Sequence, residues 1–278
     1  MAALVFAYDG SLNGDWVAHY AIRFAANTAA RRLRLVHVYD DAPAGPWADR
    51  LARIAAECAV VGVALEPEAI RRGGADVAGL ILDHAPGATV IAGARARPRG
   101  RALLAGTVAA RLLEARRAAV IAIRVVHPGA LGQPGRVLLP VVDRPGFAAG
   151  AAPLVRLLGP DLERLHLVLV RETSSLRARF QSAGARERLV LDGRRRLAVI
   201  EDELRAALGP TAPSLDARVV VGPDAAREIA LAAARHRARL ICLDADAPRR
   251  RGWLAPGADV ERILRDAPAD VAVYRSRP

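Results

Sequence analysis

Residues 93–124 read GARARPRGRALLAGTVAARLLEARRAAVIAIR, and residues 244–275 read DADAPRRRGWLAPGADVERILRDAPADVAVYR. The two stretches align without a gap at a constant offset of 151 residues. Both have a glycine at the same place, Gly106 or Gly257, and both end in an apolar run closed by arginine. Self-similarity at this length predicts two copies of one unit in which a helix leads into a strand.

Two shorter matches precede this one in each half of the chain. They are Leu4–Asp9 with Val137–Asp143 and Arg32–Tyr39 with Arg164–Arg171, at offsets of 134 and 132 residues. Three matches in the same order predict two tandem domains, residues 1–128 and 136–278. The Pro- and Gly-containing segment between them, 129–135, is predicted to be a linker.

Apolar runs of strand length alternate with segments of helical periodicity in each copy. In the first copy we expect strands at 3–9, 33–39, 63–70, 89–92 and 119–124, and helices at 15–30, 47–61, 76–84 and from 106 onward. Buried, unalternating strands separated by helices are typical of a parallel sheet covered on both faces. We therefore predict the α/β class, with two tandem doubly wound, Rossmann-like domains, each a five-stranded parallel sheet flanked by helices. The second copy adds a long arginine-rich helix at 174–208, interpreted as a solvated face.

The composition excludes several functions. All 41 basic residues of the 278 are arginine, and the formal net charge is +12. Without lysine there is neither a Walker A loop nor a Schiff-base catalyst. Abundant alanine beside the arginine, with only four Phe and four Tyr, disfavours nucleic acid as a partner. No apolar run approaches the roughly 18–20 residues that span a bilayer and no signal sequence is evident, so we expect no membrane contact and a cytoplasmic location.

Cysteine and histidine offer little chemistry by their spacing. Cys58 and Cys242 lie in apolar surroundings in different halves, and we expect both to be small buried side chains. The six histidines form no metal-ligand spacing with one another or with cysteine. We therefore expect no metal site built from protein side chains alone.

Two loops of the first copy are placed for ligand binding, because open doubly wound sheets bind ligands at the carboxyl ends of their strands. Asp9 and Ser11 follow the first strand, where Asp9 is suited to accept hydrogen bonds from a ribose hydroxyl or a base amino group. After the fourth strand, Gly93 lets the backbone approach a ligand, and backbone N–H groups at Gly106-Thr107 suit phosphate. The alternative is that Asp9, Ser11 and Thr107 only form turns and helix caps.

The whole chain resembles a tandem universal stress protein of the adenine nucleotide α-hydrolase-like superfamily. That family's ATP signature is Gly, two residues, Gly, nine residues, Gly, then Ser or Thr. Gly93, Ala96, Gly106 and Thr107 reproduce the spacing, with alanine in place of the second glycine. If position 96 requires positive φ, the alanine costs on the order of 1 kcal/mol.

The resemblance implies that the first copy binds ATP, with Mg²⁺ on the phosphates, and that Val38 flanks the adenine. The implied nucleotide-binding residues are Ala7, Tyr8, Asp9, Val38, Gly93, Arg95, Ala96, Gly106, Thr107 and Val108.

The second copy has lost this signature. Its matching positions are Asp244, Ala247, Gly257 and Ala258, so two glycines and the hydroxyl are missing. Negative charge at Asp244 and nearby Asp246 opposes a polyphosphate. We expect this copy to bind no nucleotide, although the run Arg249–Arg251 favours the opposite interpretation.

The apolar fifth strands, residues 120–124 and 271–275, offer two edges for pairing. We predict a pseudo-twofold intrachain dimer, with a further homodimer left open. The leading hypothesis is a stress-response module whose ATP occupancy alters its contacts with a regulatory protein partner, not an enzyme. The alternatives are a scaffold that binds no nucleotide and a slow ATPase, for which the signature loop offers no evident general base.

Overall fold

The computed structural model describes residues 3–40, 46–94, 104, 107–173, 183–246 and 258–276. The chain divides into two compact units. One takes in residues 1–133, 157–159 and 273–278, and the other takes in residues 134–156 and 160–272. We call the first five strands of the chain with their helices the first domain, and the last five strands with theirs the second domain.

The first domain is an α/β sheet domain. Its elements are β1 (Leu4–Ala7), α1 (Leu12–Ala26), β2 (Arg32–Tyr39), α2 (Pro46–Val60), β3 (Ala64–Arg71), α3 (Val77–Asp83), β4 (Thr89–Gly93), α4 (Val108–Ala115) and β5 (Ala119–Arg124). The strand order is β3-β2-β1-β4-β5, and each neighbouring pair is parallel. This order confirms the predicted doubly wound, five-stranded parallel sheet.

The second domain repeats this architecture. Its elements are β6 (Arg136–Pro140), α5 (Phe147–Leu158), β7 (Arg164–Glu172), α6 (Ala183–Leu208), β8 (Ser214–Gly222), α7 (Ala225–Arg235), β9 (Leu240–Asp244), α8 (Ala258–Asp266) and β10 (Asp270–Arg275). The strand order is β10-β9-β6-β7-β8, with β6 parallel to both β7 and β9 and β7 parallel to β8. The pseudo-twofold pairing of the two domains stays a prediction.

Burial of whole strands explains why their sequences do not alternate. Leu4, Val5 and Phe6 of β1 are at most 3% exposed, because helices cover both faces of the sheet. Helix α1 contributes an apolar face that includes Val17 and Ala21, both 0% exposed. Side chains four residues apart lie on one side of a helix, so this spacing packs α1 onto the strands.

Some element bounds differ from the prediction for local reasons. Helix α1 begins at Leu12 rather than 15, because the Ser11 hydroxyl accepts a hydrogen bond from the Gly14 amide and caps the first turn. It ends at Ala26 rather than 30, and Arg31 then takes a left-handed conformation with φ 47°. Strand β1 ends at Ala7, although the Tyr8 amide still donates to the Val36 carbonyl. The start of the predicted long helix, 174–182, lies outside the described residues.

The predicted linker, residues 129–135, contains a glycine that the packing requires. Gly132 has a φ of 73°, and a Cβ there would lie 2.7 Å from the His19 carbonyl carbon and oxygen. The segment therefore packs closely against the backbone of α1. Within the described residues, no helix is both long and apolar enough to cross a membrane.

Candidate functional site

The strand order of the first domain places a crevice at the carboxyl ends of β1 and β4. The chain leaves β1 toward β2 and β3 and returns on the other side of β1 to form β4, so the helices that flank these strands diverge there. In the parallel register Ala7 lies opposite Ala92. Tyr8 and Asp9 after β1 therefore emerge beside Gly93 at the end of β4.

Asp9 organises the turn between β1 and α1. Its Oδ1 accepts hydrogen bonds from the Ser11 amide at 2.9 Å and from the Ser11 hydroxyl at 2.6 Å. Gly14, in the first turn of α1, lies against this carboxylate, since a Cβ there would be 2.7 Å from Asp9 Oδ1 and 3.0 Å from Tyr8 Cε2. Asp9 remains exposed to solvent. It therefore fills the turn role that the sequence left open, and its carboxylate also faces water.

The end of β4 lies against Asn13, a residue that the sequence analysis did not select. A Cβ on Gly93 would lie 2.7 Å from Asn13 Nδ2. This amide nitrogen is buried, and it has no hydrogen-bond partner in the described structure. A buried donor without a partner is costly, which makes Asn13 Nδ2 a candidate hydrogen-bond donor to a ligand.

Aromatic side chains gather at the carboxyl ends of β1 and β2. The rings of His37 and Trp47 stack with centroids 4.1 Å apart, and the Tyr8 ring lies 5.7 Å from Trp47. His37 Nδ1 is 2.9 Å from the Tyr8 carbonyl oxygen. Trp47 and His37 come from separate elements and share no motif, which is why sequence inspection did not join them.

The Tyr8 hydroxyl belongs to a polar network on the other side of this cluster. It donates to Asp15 Oδ1 at 2.5 Å, and Asp15 Oδ2 lies 3.0 Å from Arg53 and 3.6 Å from Arg50. Arg50 also donates to the Gly10 carbonyl. Burial, followed by the hydrogen bond to Asp15, raises the pKa of Tyr8 above its usual value. Tyr8 therefore stays neutral and acts as a positioned donor.

Of the remaining predicted residues, three lie within the described residues and three lie outside them. Val38 is half-buried and lies opposite Ile70 of β3. It is two residues beyond Val36, the residue of β2 that pairs with Ala7. Thr107 caps α4, because its hydroxyl accepts from the Ala110 amide at 3.2 Å, and Val108 follows as an exposed first residue of that helix. Three further predicted residues lie outside the described residues: Arg95, Ala96 and Gly106.

The equivalent crevice of the second domain is occupied by its own charges. Asp244, which aligns with Gly93, has a side chain that is 1% exposed and accepts from Arg144 at 2.5 Å. Its other oxygen accepts from the Asp246 amide at 2.8 Å. Asp143, which aligns with Asp9, lies 3.4 Å from Arg171. The Arg144–Asp244 ion pair thus joins the ends of β6 and β9. At the end of the corresponding strand β4, the first domain has Gly93 lying against the Asn13 amide.

Both cysteines are buried, as their apolar surroundings predict. Cys58 is 1% exposed and Cys242 is 2% exposed. Burial raises the pKa of Cys58 to about 11 and raises the pKa of Cys242 as well. Neither thiol is therefore suited to nucleophilic chemistry.

The chain has the fold of tandem universal stress proteins. The sequence matches no protein-family model and no curated protein, whereas solved structures do match. A universal stress protein from Archaeoglobus fulgidus aligns over 99% of this chain and 98% of its own, with 16% identity and a TM-score of 0.61. A functionally unknown protein from Pseudomonas aeruginosa aligns over 99% and 93%, with 15% identity and a TM-score of 0.60.

The same fold also occurs in a different setting. The cytoplasmic domain of a prokaryotic cation chloride cotransporter aligns over 98% of this chain and 95% of its own, with 12% identity and a TM-score of 0.53. A shared fold therefore does not assign an activity to this chain. The argument for function has to come from its crevices.

Proposed function

We propose that the first domain binds an adenine nucleotide, ATP with Mg²⁺, in the crevice between β1 and β4. In this proposal the protein is a stress-response binding module rather than an enzyme, and nucleotide occupancy changes its contacts with a protein partner. The second domain holds no nucleotide.

The observation that carries the proposal is the unpartnered Asn13 amide beside Gly93. A ligand oxygen is a suitable acceptor for Asn13 Nδ2, and the missing side chain at position 93 lets this amide lie against the end of β4. Because any other residue at position 93 would put a Cβ 2.7 Å from that nitrogen, glycine is needed there for the Asn13 amide to keep its place.

The nucleoside end of the crevice has groups that suit adenosine. The exposed Asp9 carboxylate can accept hydrogen bonds from ribose hydroxyls while its Oδ1 holds the Ser11 turn. Val38 offers an apolar contact at the end of β2, and the stacked His37 and Trp47 rings form a flat neighbouring surface. Ala7 and Tyr8 contribute the backbone at the strand end.

The phosphate end is assigned to the N-terminus of α4. Its first amides, beside the Thr107 cap, are donors of the kind that hold phosphate oxygens, and the helix dipole favours negative charge there. In the proposal Arg95, Ala96, Gly106 and Val108 complete this end of the site. Bound Mg²⁺ would neutralise part of the phosphate charge.

The second crevice supports a single site per chain. Filling it with phosphate would require breaking the Arg144–Asp244 pair and placing a polyanion against a carboxylate that is 1% exposed. Both costs make the binding free energy of a nucleotide less favourable, so in this proposal the second crevice holds no nucleotide.

Calorimetric titration of the nucleotide-stripped protein with Mg·ATP tests the proposal. We expect one ATP per chain, with at least several-fold weaker binding for Asp9→Ala and Asn13→Leu. The matched control is Asp143→Ala in the second domain, which should leave affinity and stoichiometry unchanged. Two sites per chain, or no saturable binding at millimolar ATP, would refute the proposal, and the second result would favour a nucleotide-free scaffold.

A further inference from the structure

The second domain contains a cluster of two histidines and one aspartate near the amino ends of its strands, at the opposite end of the sheet from the crevice. His166 on β7 lies opposite Asp216 on β8 in the parallel register, so adjacent strands hold the two side chains at one level. His166 Nδ1 is 2.9 Å from Asp216 Oδ2. The ladder thus fixes a histidine–carboxylate pair without help from any loop.

The third member comes from the end of a helix. His236 is the C-terminal cap of α7, and its amide donates to the Ala232 carbonyl at 2.9 Å. Its Nδ1 is 3.8 Å from Asp216 Oδ2, and its ring centroid is 4.2 Å from that of His166. One ligand atom from each of the three residues lies within 4.8 Å of the other two.

Both rings carry a buried nitrogen without a protein partner. The His166 side chain is 4% exposed and that of His236 is 14% exposed, and each has an Nε2 with no hydrogen-bond partner in the described structure. Asp216 is 49% exposed, which leaves one side of the cluster open to solvent. Strand register and the helix cap therefore hold the cluster in place, and Asp216 leaves it accessible to solvent.

We propose that His166, Asp216 and His236 bind a transition-metal dication of the Zn²⁺ type. Zinc holds nitrogen at about 2.0–2.1 Å and carboxylate oxygen at about 2.0–2.2 Å, so tetrahedral ligands lie roughly 3.3 Å apart. His166 Nδ1 and His236 Nδ1 lie 2.9 and 3.8 Å from Asp216 Oδ2, and these two separations bracket that distance. Three protein ligands leave the fourth position to water.

The donor set selects the class of ion. Two imidazoles and one carboxylate suit Zn²⁺ and its transition-metal neighbours, whereas Ca²⁺ and Mg²⁺ require several oxygen ligands. Burial, followed by the neighbouring His166, lowers the pKa of His236; Asp216 opposes this shift, while Arg218 and Arg235 add to it. Those two arginines also disfavour an ion held only by charge, so coordination to the ring nitrogens has to supply the affinity.

At the corresponding place the first domain has an arginine instead of the first histidine of the cluster. His166 aligns with Arg34, whose guanidinium lies 2.6 Å from Glu68 Oε2. The cap of α3 is His84, as the cap of α7 is His236, and its Nε2 lies 3.7 Å from Glu68 Oε1. Arg34 already supplies the positive charge there, which makes His84 a matched control.

Titration of the tag-free, chelator-treated full chain with Zn²⁺, followed calorimetrically and by metal content after dialysis, tests this site. We expect one Zn²⁺ per chain, at least about tenfold weaker binding for Asp216→Asn and for His236→Gln, and no change for His84→Gln. Mg²⁺ in excess should not compete. Circular dichroism checks that each variant is folded, which is expected because Asp216 is half-exposed.

Three outcomes would overturn the proposal. They are the absence of saturable zinc binding, binding whose affinity is the same in Asp216→Asn and His236→Gln as in the parent chain, and a loss in His84→Gln as large as the loss in His236→Gln. The experiment is independent of the ATP titration, because the cluster lies at neither strand-end crevice.

Discussion

The two crevices of this protein lie at the same place in two sheets of the same strand order, and they have opposite chemistry. At the end of the fourth strand of each sheet the first domain has Gly93, and the second has Asp244. Gly93 lies against an unpartnered Asn13 amide, whereas Asp244 is buried and paired with Arg144. The first crevice therefore has an amide donor beside a glycine, and the second has an ion pair in the equivalent place.

Breaking the ion pair of the second crevice should have the largest effect. Arg144→Ala leaves the buried Asp244 carboxylate without its cation, and we expect a loss of about 3 kcal/mol in the free energy of unfolding, since unpairing a buried charge is far costlier than losing an exposed pair. Urea unfolding measures it. The double variant Arg144→Ala/Asp244→Ala should recover part of the loss.

An exposed ion pair provides the control for that change. Arg111 pairs with Asp76 at the surface of the first domain, and Arg111→Ala should cost at most about 1 kcal/mol. Equal losses for Arg144→Ala and Arg111→Ala would mean that the second crevice is not held by its charges.

Closing the first crevice from the side of α1 should have an intermediate effect. A Cβ on Gly14 would lie 2.7 Å from Asp9 Oδ1 and 3.0 Å from the Tyr8 ring. Gly14→Ala should therefore displace Asp9, weaken ATP binding at least several-fold and lower the free energy of unfolding by about 1–3 kcal/mol. Calorimetric titration and urea unfolding measure the two effects.

Gly79 is a matched control for Gly14. Both glycines lie in the first turn of a helix and donate their amide to the capping side chain, Ser11 for Gly14 and Asp76 for Gly79. A Cβ on Gly79 would have only ordinary contact, 3.6 Å from Asp76 Oδ2. Gly79→Ala should therefore raise the free energy of unfolding by about 0.5–1 kcal/mol without changing ATP binding. A gain of stability in Gly14→Ala would contradict the close approach.

Much of the fold follows from sequence pattern, because the pattern is local. The repeat at an offset of 151 residues and the apolar strand runs predict two parallel α/β domains, and the structure confirms them. Element ends were less predictable: Ser11 starts α1 three residues earlier than the apolar periodicity indicates, because one hydroxyl caps the turn.

The candidate sites depend on contacts that no motif records. Asn13 touches Gly93 across 80 residues of sequence, and Trp47 reaches His37 only after α2 folds back on β2. The histidines of the second domain are 70 residues apart, so a search for ligand spacing passes over them although strand register and a helix cap bring them together. Such sites follow from register and packing, which single-sequence patterns do not determine.

A small expected effect separates the two roles of Thr107. As a cap, its hydroxyl accepts from the Ala110 amide, so Thr107→Ala should lower the free energy of unfolding by about 1 kcal/mol. Thr107→Ser keeps a hydroxyl for the cap and for phosphate, so it should retain both stability and ATP affinity. If Thr107→Ala loses stability while its ATP affinity stays unchanged, the hydroxyl serves only the local structure, as the cap of α4 and as a donor to the Leu104 carbonyl. In that case the phosphate contact would come from the backbone amides of the helix, and the difference between the two crevices would rest on Gly93 and Asn13.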